Sequence, residues 1–291
     1  MRLFRLRLIM LATIGLALSA CGSRIKTDDE RSSLSTNTRS ASDLGIMSFN
    51  IRVPVDPYPN DWETRRWQVY NVINRFNPDL VGLQESEGRT VNDIVANTPL
   101  VLASRPDTGI LYNPSRLTVI EAGEFYYTDT PDVEDYRLVW GQQYFRRCVW
   151  VLFQMPNGKR FYHYNNHWSY ISSAWQPSSE LLDRKIAERR NPQHPFVITG
   201  DLNVSEFQDS INYLKYGGRS RMQDTFRDIK PAYSEDGTYH YFSGFRGGDK
   251  IDFVFAERGR YQTLDAAIIH DNDGGRYPSD HFPVYARIRL K

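Results

Sequence analysis

Cysteine is nearly missing from this chain of 291 residues: there are two, Cys21 and Cys148. A disulfide-built scaffold is thereby excluded, and ordinary apolar packing has to hold the fold. Charge of one sign is missing as well, since 36 Lys and Arg face 35 Asp and Glu with no long run of either. Nothing in that balance draws a long polyanion or an anionic membrane to the whole molecule. There is no internal repeat, and the one long apolar run, Leu8 to Leu18, is too short for a comfortable bilayer span. What remains is a globular composition rich in Tyr, Trp and Phe, enough for a sizeable core and one large domain.

The first residues read as a targeting segment. Arg2, Arg5 and Arg7 precede the apolar run, and Leu18-Ser19-Ala20-Cys21 follows it. This resembles a bacterial lipoprotein signal over residues 1–21, which implies cleavage before Cys21 and a lipid on its sulfur. The alternative is an ordinary secretory signal with an incidental cysteine. A lipid anchor would place the protein in the bacterial cell envelope, on the outer membrane or facing the periplasm, because Gly22 stands where an inner-membrane retention signal has Asp. Removing the three leader arginines takes the formal charge from +1 to about −2. Cys148 is then left without a partner and is expected as a small buried hydrophobe in a strand. Residues 22–43 are Ser, Thr, Asn and charges with too little apolar surface to fold, and are expected to be a tether ahead of a domain spanning 44–291.

Within the domain, Val69, Val72, Ile73 and Phe76 recur at helical spacing, and Asn77-Pro78 predicts the stop of that helix. Further helices are expected over 177–190 and 206–215. Strands are expected at 44–50, 80–83, 109–112, 116–125, 147–154, 161–166, 196–199, 251–256, 263–269 and 282–290. Some follow one another through turns and others through helices, so a mixed-sheet α/β sandwich fits the order. Segments 129–144 and 227–249 have no period and are expected as ordered loops over a site.

Six of these apolar runs end on, or run into, a polar group. They are Ser48-Phe49-Asn50, Gln84-Glu85, Asn166-His167, Gly200-Asp201-Leu202-Asn203, Ile251-Asp252 and Ser279-Asp280-His281. A strand that closes on Asn, Glu, His or Asp delivers that group to the sheet's edge, and several together suggest one catalytic rim. In this order the six resemble the endonuclease/exonuclease/phosphatase superfamily, the DNase I-like phosphoesterases, from Leu44 to Lys291. Trp62 with Arg65-Arg66, Gly109-Ile110-Leu111-Tyr112, and Arg147 three before Trp150 resemble its bacterial members. Asn166 stands where Thr is usual and Trp168 where Leu is common, which predicts altered local hydrogen bonding with the chemistry kept. The resemblance implies a DNase I-like sandwich of two mixed β-sheets flanked by helices.

It also implies a metal-dependent phosphoesterase. Hydrolysis of a phosphate ester needs a deprotonated water and charge neutralisation on phosphorus, which a divalent ion on few carboxylates supplies. Glu85 and Asn50 are the implied ligands of Mg2+, with Mn2+ or Ca2+ as substitutes, and Asp280 faces that ion or a second cation. Asp201 is the implied base and Asn203 its orienter, although an isolated Asp-x-Asn more often makes only an Asx-turn. His281, kept cationic by Asp252, and His167 are the implied contacts to the phosphoryl group. Arg52, Arg66 and Arg147 are weaker candidates for binding substrate phosphate, since each could equally form a structural ion pair. Tyr126-Tyr127, Tyr144-Phe145, Trp168, Tyr170 and Trp175 could cover a base or a lipid head group, or belong to the core.

The substrate expected is a phosphodiester, in nucleic acid or a lipid head group; no protein partner is inferred. An extracellular or periplasmic nuclease is the alternative, weakened by the near-neutral charge. The segment Gly248-Asp249-Lys250-Ile251-Asp252 lacks the Trp-Cys-Asp-Arg feature of inositol polyphosphate 5-phosphatases. A surface lipoprotein that only binds in the cleft is the reading from another class, opposed by the presence of Glu85, Asp201 and His281 together.

Overall fold

Strand β1 (Asp43–Asn50) is buried at every residue, because apolar layers cover both faces of the sheet it runs through. Leu44 and Ile46 enter one layer, Met47 and Phe49 the other, as the two-residue period of a strand requires. The computed structural model describes residues 40–134, 136–232 and 235–291; the expected leader and nearly all of the expected tether lie outside them. Two six-stranded sheets make up the domain. The first runs β11 (Tyr261–Ile268), β12 (Val284–Leu290), β1, β2 (Leu80–Gln84), β4 (Ile110–Tyr112), β3 (Val101–Leu102). The second runs β5 (Thr118–Tyr126), β6 (Arg147–Gln154), β7 (Arg160–His167), β8 (Phe196–Asp201), β10 (Asp252–Glu257), β9 (Met222–Asp224). One parallel pair in each, β1 with β2 and β7 with β8, makes both sheets mixed.

Helices α1 (Trp62–Phe76) and α2 (Gly88–Asn97) cover the outer face of the first sheet through Val69, Ile73, Val91 and Ile94. Helix α3 (Trp175–Ala187) and the short α4 (Asp209–Asn212) cover the second, with Leu182, Ile186 and Ile211 buried against it. Asp61 caps α1 by accepting from the Thr64 amide at 3.1 Å, and Asn77, at φ 45°, ends it before Pro78 as expected. The expected helix over 206–215 is a single α-helical turn that continues as a π-turn, Tyr213–Gly217. Helix α2 and the short β3 and β9 carry no period long enough to read, and α2 buries three side chains only. The two segments expected as loops contain no helix or strand among their described residues. Cys148 is fully buried in β6. Among the described residues no helix is long and apolar enough to cross a membrane.

Strand parity also explains the layer between the sheets. On its inner face β1 reads Leu44, Ile46, Ser48, Asn50; β2 reads Leu80, Gly82, Gln84; β7 reads Phe161, His163, Asn165, His167; and β8 reads Val197, Thr199, Asp201. Each changes from apolar to polar in the same direction, so the space between the sheets is greasy at one end and hydrogen-bonded at the other. Asn165 is the knot of that polar stretch. Its Oδ1 accepts from Gln84 Nε2 at 2.7 Å and Thr199 Oγ1 at 2.9 Å, and its Nδ2 donates to the carbonyls of Leu83, Thr108 and Gly109 at 2.8, 3.1 and 3.1 Å. His163 Nε2 lies 2.8 Å from Thr199 Oγ1. One fully buried amide thus ties the second sheet to the first, directly beneath the polar strand ends.

Candidate active site

Three residues at those strand ends have left-handed backbones without being glycine: Arg52 at φ 57°, Glu85 at 54° and Asn203 at 52°. Such conformations cost about 1–3 kcal/mol each and persist where surrounding contacts over-determine them. Here they follow β1, β2 and β8 and turn the chain as it leaves the sheets. The Glu85 carboxylate accepts from Asn50 Nδ2 at 3.3 Å and from the Val53 amide at 3.0 Å. Asn203 donates its amide N–H to Asp201 Oδ1 at 2.8 Å and its Nδ2 to the Trp168 carbonyl at 3.0 Å. The Asx-turn reading and the site reading of Asp201-Leu202-Asn203 therefore hold together: the turn is what orients the carboxylate.

Asp201 lies at the centre. Its Oδ2 accepts from Asn50 Nδ2 at 3.0 Å and lies 3.7 Å from Nε2 of both His167 and His281. Burial, then the nearby Asp252 charge, pushes its pKa up to about 7. The two histidines are held in opposite states. Burial by itself would lower the pKa of His281, but Asp252, Asp201 and Asp280 outweigh it and raise it to about 10; its Nδ1 donates to Asp252 Oδ2 at 2.9 Å. His167 is driven well below its ordinary value by burial, by the Arg146 guanidinium and by His281. Arg146 Nη1 lies 2.7 Å from His167 Nδ1. A guanidinium can only donate, so Nδ1 is the acceptor and the ring's proton is on Nε2, facing Asp201.

The expected site residues Glu85, His167, Asp201, Asn203, Asp280 and His281 line one cavity of about 920 Å³, with Asn50 and Asp252 buried behind it. The expected cations are each engaged by carboxylates, although Arg52 and Arg147 line the cavity. Arg52 lines the cavity but grips Asp56 through two bonds of 2.9 and 3.0 Å. Arg147 is paired with Glu124 at 3.1 Å and Asp107 at 2.9 Å. Arg66 lies outside the cavity lining on Asp93 at 3.1 Å. Arg146, one residue before β6 and passed over in the sequence, is the guanidinium that meets the reacting groups. Arg65, also unassigned, donates to the carbonyls of Ile51, Arg52, Asn60 and Pro278, which joins the loop after β1 to the chain entering Ser279-Asp280-His281. Of the aromatic candidates, Tyr126, Tyr127 and Trp168 are core, whereas Tyr144 and Tyr170 are exposed at the cavity mouth. Asn166 points away from the cavity, accepting from Tyr127 Oη at 2.6 Å and donating to the Thr199 carbonyl at 3.2 Å.

Glu85 and Asp280, which line the same cavity, are candidate ligands for a divalent ion. Glu85 and Asp280 each approach the Arg52 guanidinium at 3.8 Å, and the Asp280 carboxyl is raised by burial, against which His281 acts, and by Glu85. Both carboxylates offer the hard oxygens that Mg2+, Mn2+ or Ca2+ take, and the Arg52 guanidinium pairs with each of them. Asn50, expected to lend an oxygen, instead presents Nδ2 to the carboxylates, because its Oδ1 accepts from the Arg52 amide at 3.0 Å. A second grouping, Asp201, Asp252 and His281, brings its ligand atoms within 4.8 Å of one another. There His281 Nδ1 and Asp252 Oδ2 are already engaged with each other at 2.9 Å.

A six-on-six mixed sandwich with buried carboxylates and imidazoles gathered at one edge defines a DNase I-like α/β protein. The model of the Endonuclease/Exonuclease/phosphatase family matches residues 47–281, and the chain belongs to that family. The fold is shared with an endonuclease/exonuclease/phosphatase from Bacteroides vulgatus, 24% identical, covering 86% of this chain and 99% of that one at TM-score 0.78. A mannosyl-6-phosphatase of Bacteroides thetaiotaomicron is 23% identical over 84% of this chain and 99% of its own, at TM-score 0.76. The TDP2 protein of D. rerio, solved with a single-strand DNA product, is 18% identical over 86% and 100%, at TM-score 0.69.

Proposed function

We propose that the protein is a divalent-metal-dependent phosphoesterase that hydrolyses a phosphodiester by attack of water on phosphorus, outside the cytoplasm. The observation that carries this reading is Asp201 held between a neutral and a cationic imidazole in the cavity that Glu85 and Asp280 also line. Asp201 takes the proton of the attacking water, with the Asn203 amide fixing its orientation. His167 donates from Nε2 to the phosphoryl oxygen that gains charge, and His281, held by Asp252, contributes a positive charge beside it. A divalent ion on Glu85 and Asp280, Mg2+ in the first instance, supplies neutralisation of phosphoryl charge when bound. A cleft used for binding alone would not require a buried carboxylate held between one neutral and one cationic imidazole.

The cavity favours a small ester over a long polyanion. Glu85, Glu87, Asp107, Asp201 and Asp280 line it against Arg52, Arg146 and Arg147, and two of those guanidinium groups are already paired with carboxylates. That distribution weighs against the nuclease alternative. Protein expressed from about Ser42 onward is to be assayed on DNA, RNA, sphingomyelin, phosphoinositides, a sugar phosphate and an aryl phosphodiester, with and without chelator. Turnover of at least one ester, abolished by chelation and restored by Mg2+ or Mn2+, is the expected result; turnover indifferent to chelator removes the metal-dependent mechanism.

The envelope location rests on residues 1–21 alone. Labelled palmitate is expected to enter the full-length chain in a bacterial host, and Cys21→Ala is expected to abolish labelling and release the protein from the membrane fraction. Labelling that survives the substitution would rule out the anchor.

A further inference from the structure

Arg146 has a bonding pattern unlike that of the other site arginines. Arg52 and Arg147 each meet two or more carboxylates, but the contact with His167 Nδ1 is the sole side-chain hydrogen bond of Arg146 among the described residues. Its Nε is fully buried with no partner, as is that of Arg147, but Arg147 has two carboxylates to compensate and Arg146 has none. The Tyr144 ring lies 5.8 Å from its guanidinium carbon, and both residues line the cavity. Burying a guanidinium against a neutral imidazole with an unsatisfied N–H lowers stability, so this arrangement is not explained by folding.

We infer that Arg146 is a positioning residue that locks His167 in the Nε2–H tautomer, so that the ring presents a donor, and never a lone pair, to the reacting phosphoryl group. The chemistry is forced by the donor inventory. A neutral imidazole has one N–H, and whichever nitrogen accepts from elsewhere leaves the proton on the other. Arg146 has no acceptor to offer, so Nδ1 must be the accepting nitrogen and Nε2 the donating one. His281 obtains the same outward N–H by the opposite device, with a carboxylate accepting from its Nδ1. The two rings therefore aim N–H groups from both sides at the spot beside Asp201 Oδ2, each at 3.7 Å, and only one of them carries a charge. A second carboxylate behind His167 would have made both rings cationic and neutralised Asp201 as a base.

This inference rests on the phosphoesterase reading for its purpose, but its test does not depend on turnover. The tautomer is read from 15N spectra of the purified protein at pH 7.5. The signal of His167 is identified among those of six histidines by its loss in His167→Gln. The wild type is expected as the Nε2–H tautomer. Arg146→Met is expected to move the proton wholly or partly to Nδ1, while Arg146→Lys, which keeps a donor, retains Nε2–H. On a turned-over ester, Arg146→Met is expected to lower kcat by about tenfold or more with KM little changed, and Arg146→Lys to restore part of the loss. A wild-type ring protonated on Nδ1, or an unchanged Nε2–H ring in Arg146→Met, overturns the assignment. Should Arg146→Met fail to fold, Arg146→Gln, whose amide oxygen can accept from Nδ1–H, takes its place, and an unchanged Nε2–H ring there overturns the assignment equally. Absence of any phosphoesterase activity would sink the functional reading and leave the tautomer assignment to its own spectrum.

Discussion

Asp201→Asn is expected to lower turnover by more than about a hundredfold while leaving the protein folded. The carboxylate is buried beside Asp252, and both facts raise its pKa above the ordinary range. The sign follows from linkage: the unfolded chain gives up this proton near 3.8, the folded chain near 7, so the group opposes folding increasingly between those values and fully above them. An uncharged isostere relieves that opposition at neutral pH, keeps an oxygen for the Asn203 amide and removes the base, but it turns an NH2 toward the Asn50 Nδ2 donor, which offsets the gain. Single-turnover rates and thermal midpoints, the latter in chelator at pH 8, test both halves. His281→Ala is expected to match the loss of rate but to cost stability, because it strands the Asp252 carboxylate, whose Oδ1 already lacks a partner. Near-native rates in both variants would discard the assigned chemistry.

Gly82→Ala is the second large effect, and it acts through the fold. A Cβ at this position would lie 1.9 Å from Thr199 Oγ1 and 2.4 Å from Asn165 Oδ1, inside the hydrogen-bonded layer that joins the sheets. Neither neighbour can move away cheaply, since both lie mid-strand and Asn165 satisfies the carbonyls of Leu83 in β2 and of Thr108 and Gly109 just ahead of β4. Parting the sheets to admit one methyl group is expected to lower the stability to urea by about 3 kcal/mol and to abolish activity, because β2 carries Glu85 at its end. Gly88→Ala, where an added Cβ meets nothing within 4 Å, serves as the control and is expected to be neutral or slightly stabilising. Equal midpoints for the two variants would show that the polar layer is looser than its geometry implies.

Much of this architecture was legible in one dimension because strand parity and helix spacing are local. Leu44, Ile46, Ser48 and Asn50 share a face whatever the sheet packs against, and the run from Val69 to Phe76 announces both a helix and its stop. Helix α2 escaped because three buried side chains draw no stripe. The polar layer of Gln84, Asn165 and Thr199 leaves only a faint signal in the sequence, one polar residue two positions ahead of His167 and of Asp201.

Residue types and their order along the strands settled the sandwich and the set of groups at its edge: a polar residue ending an apolar strand has few other places to be. Which of those groups touch was decided only in three dimensions, since Asn50 meets Asp201 across 151 positions and Asp252 meets His281 across 29. The choice between Arg146 and Arg147 shows why. Neighbours along a strand point to opposite faces, so a single step in register sends one guanidinium to His167 and the other to Glu124 and Asp107, and that register is set by pairing with Tyr126 on another strand.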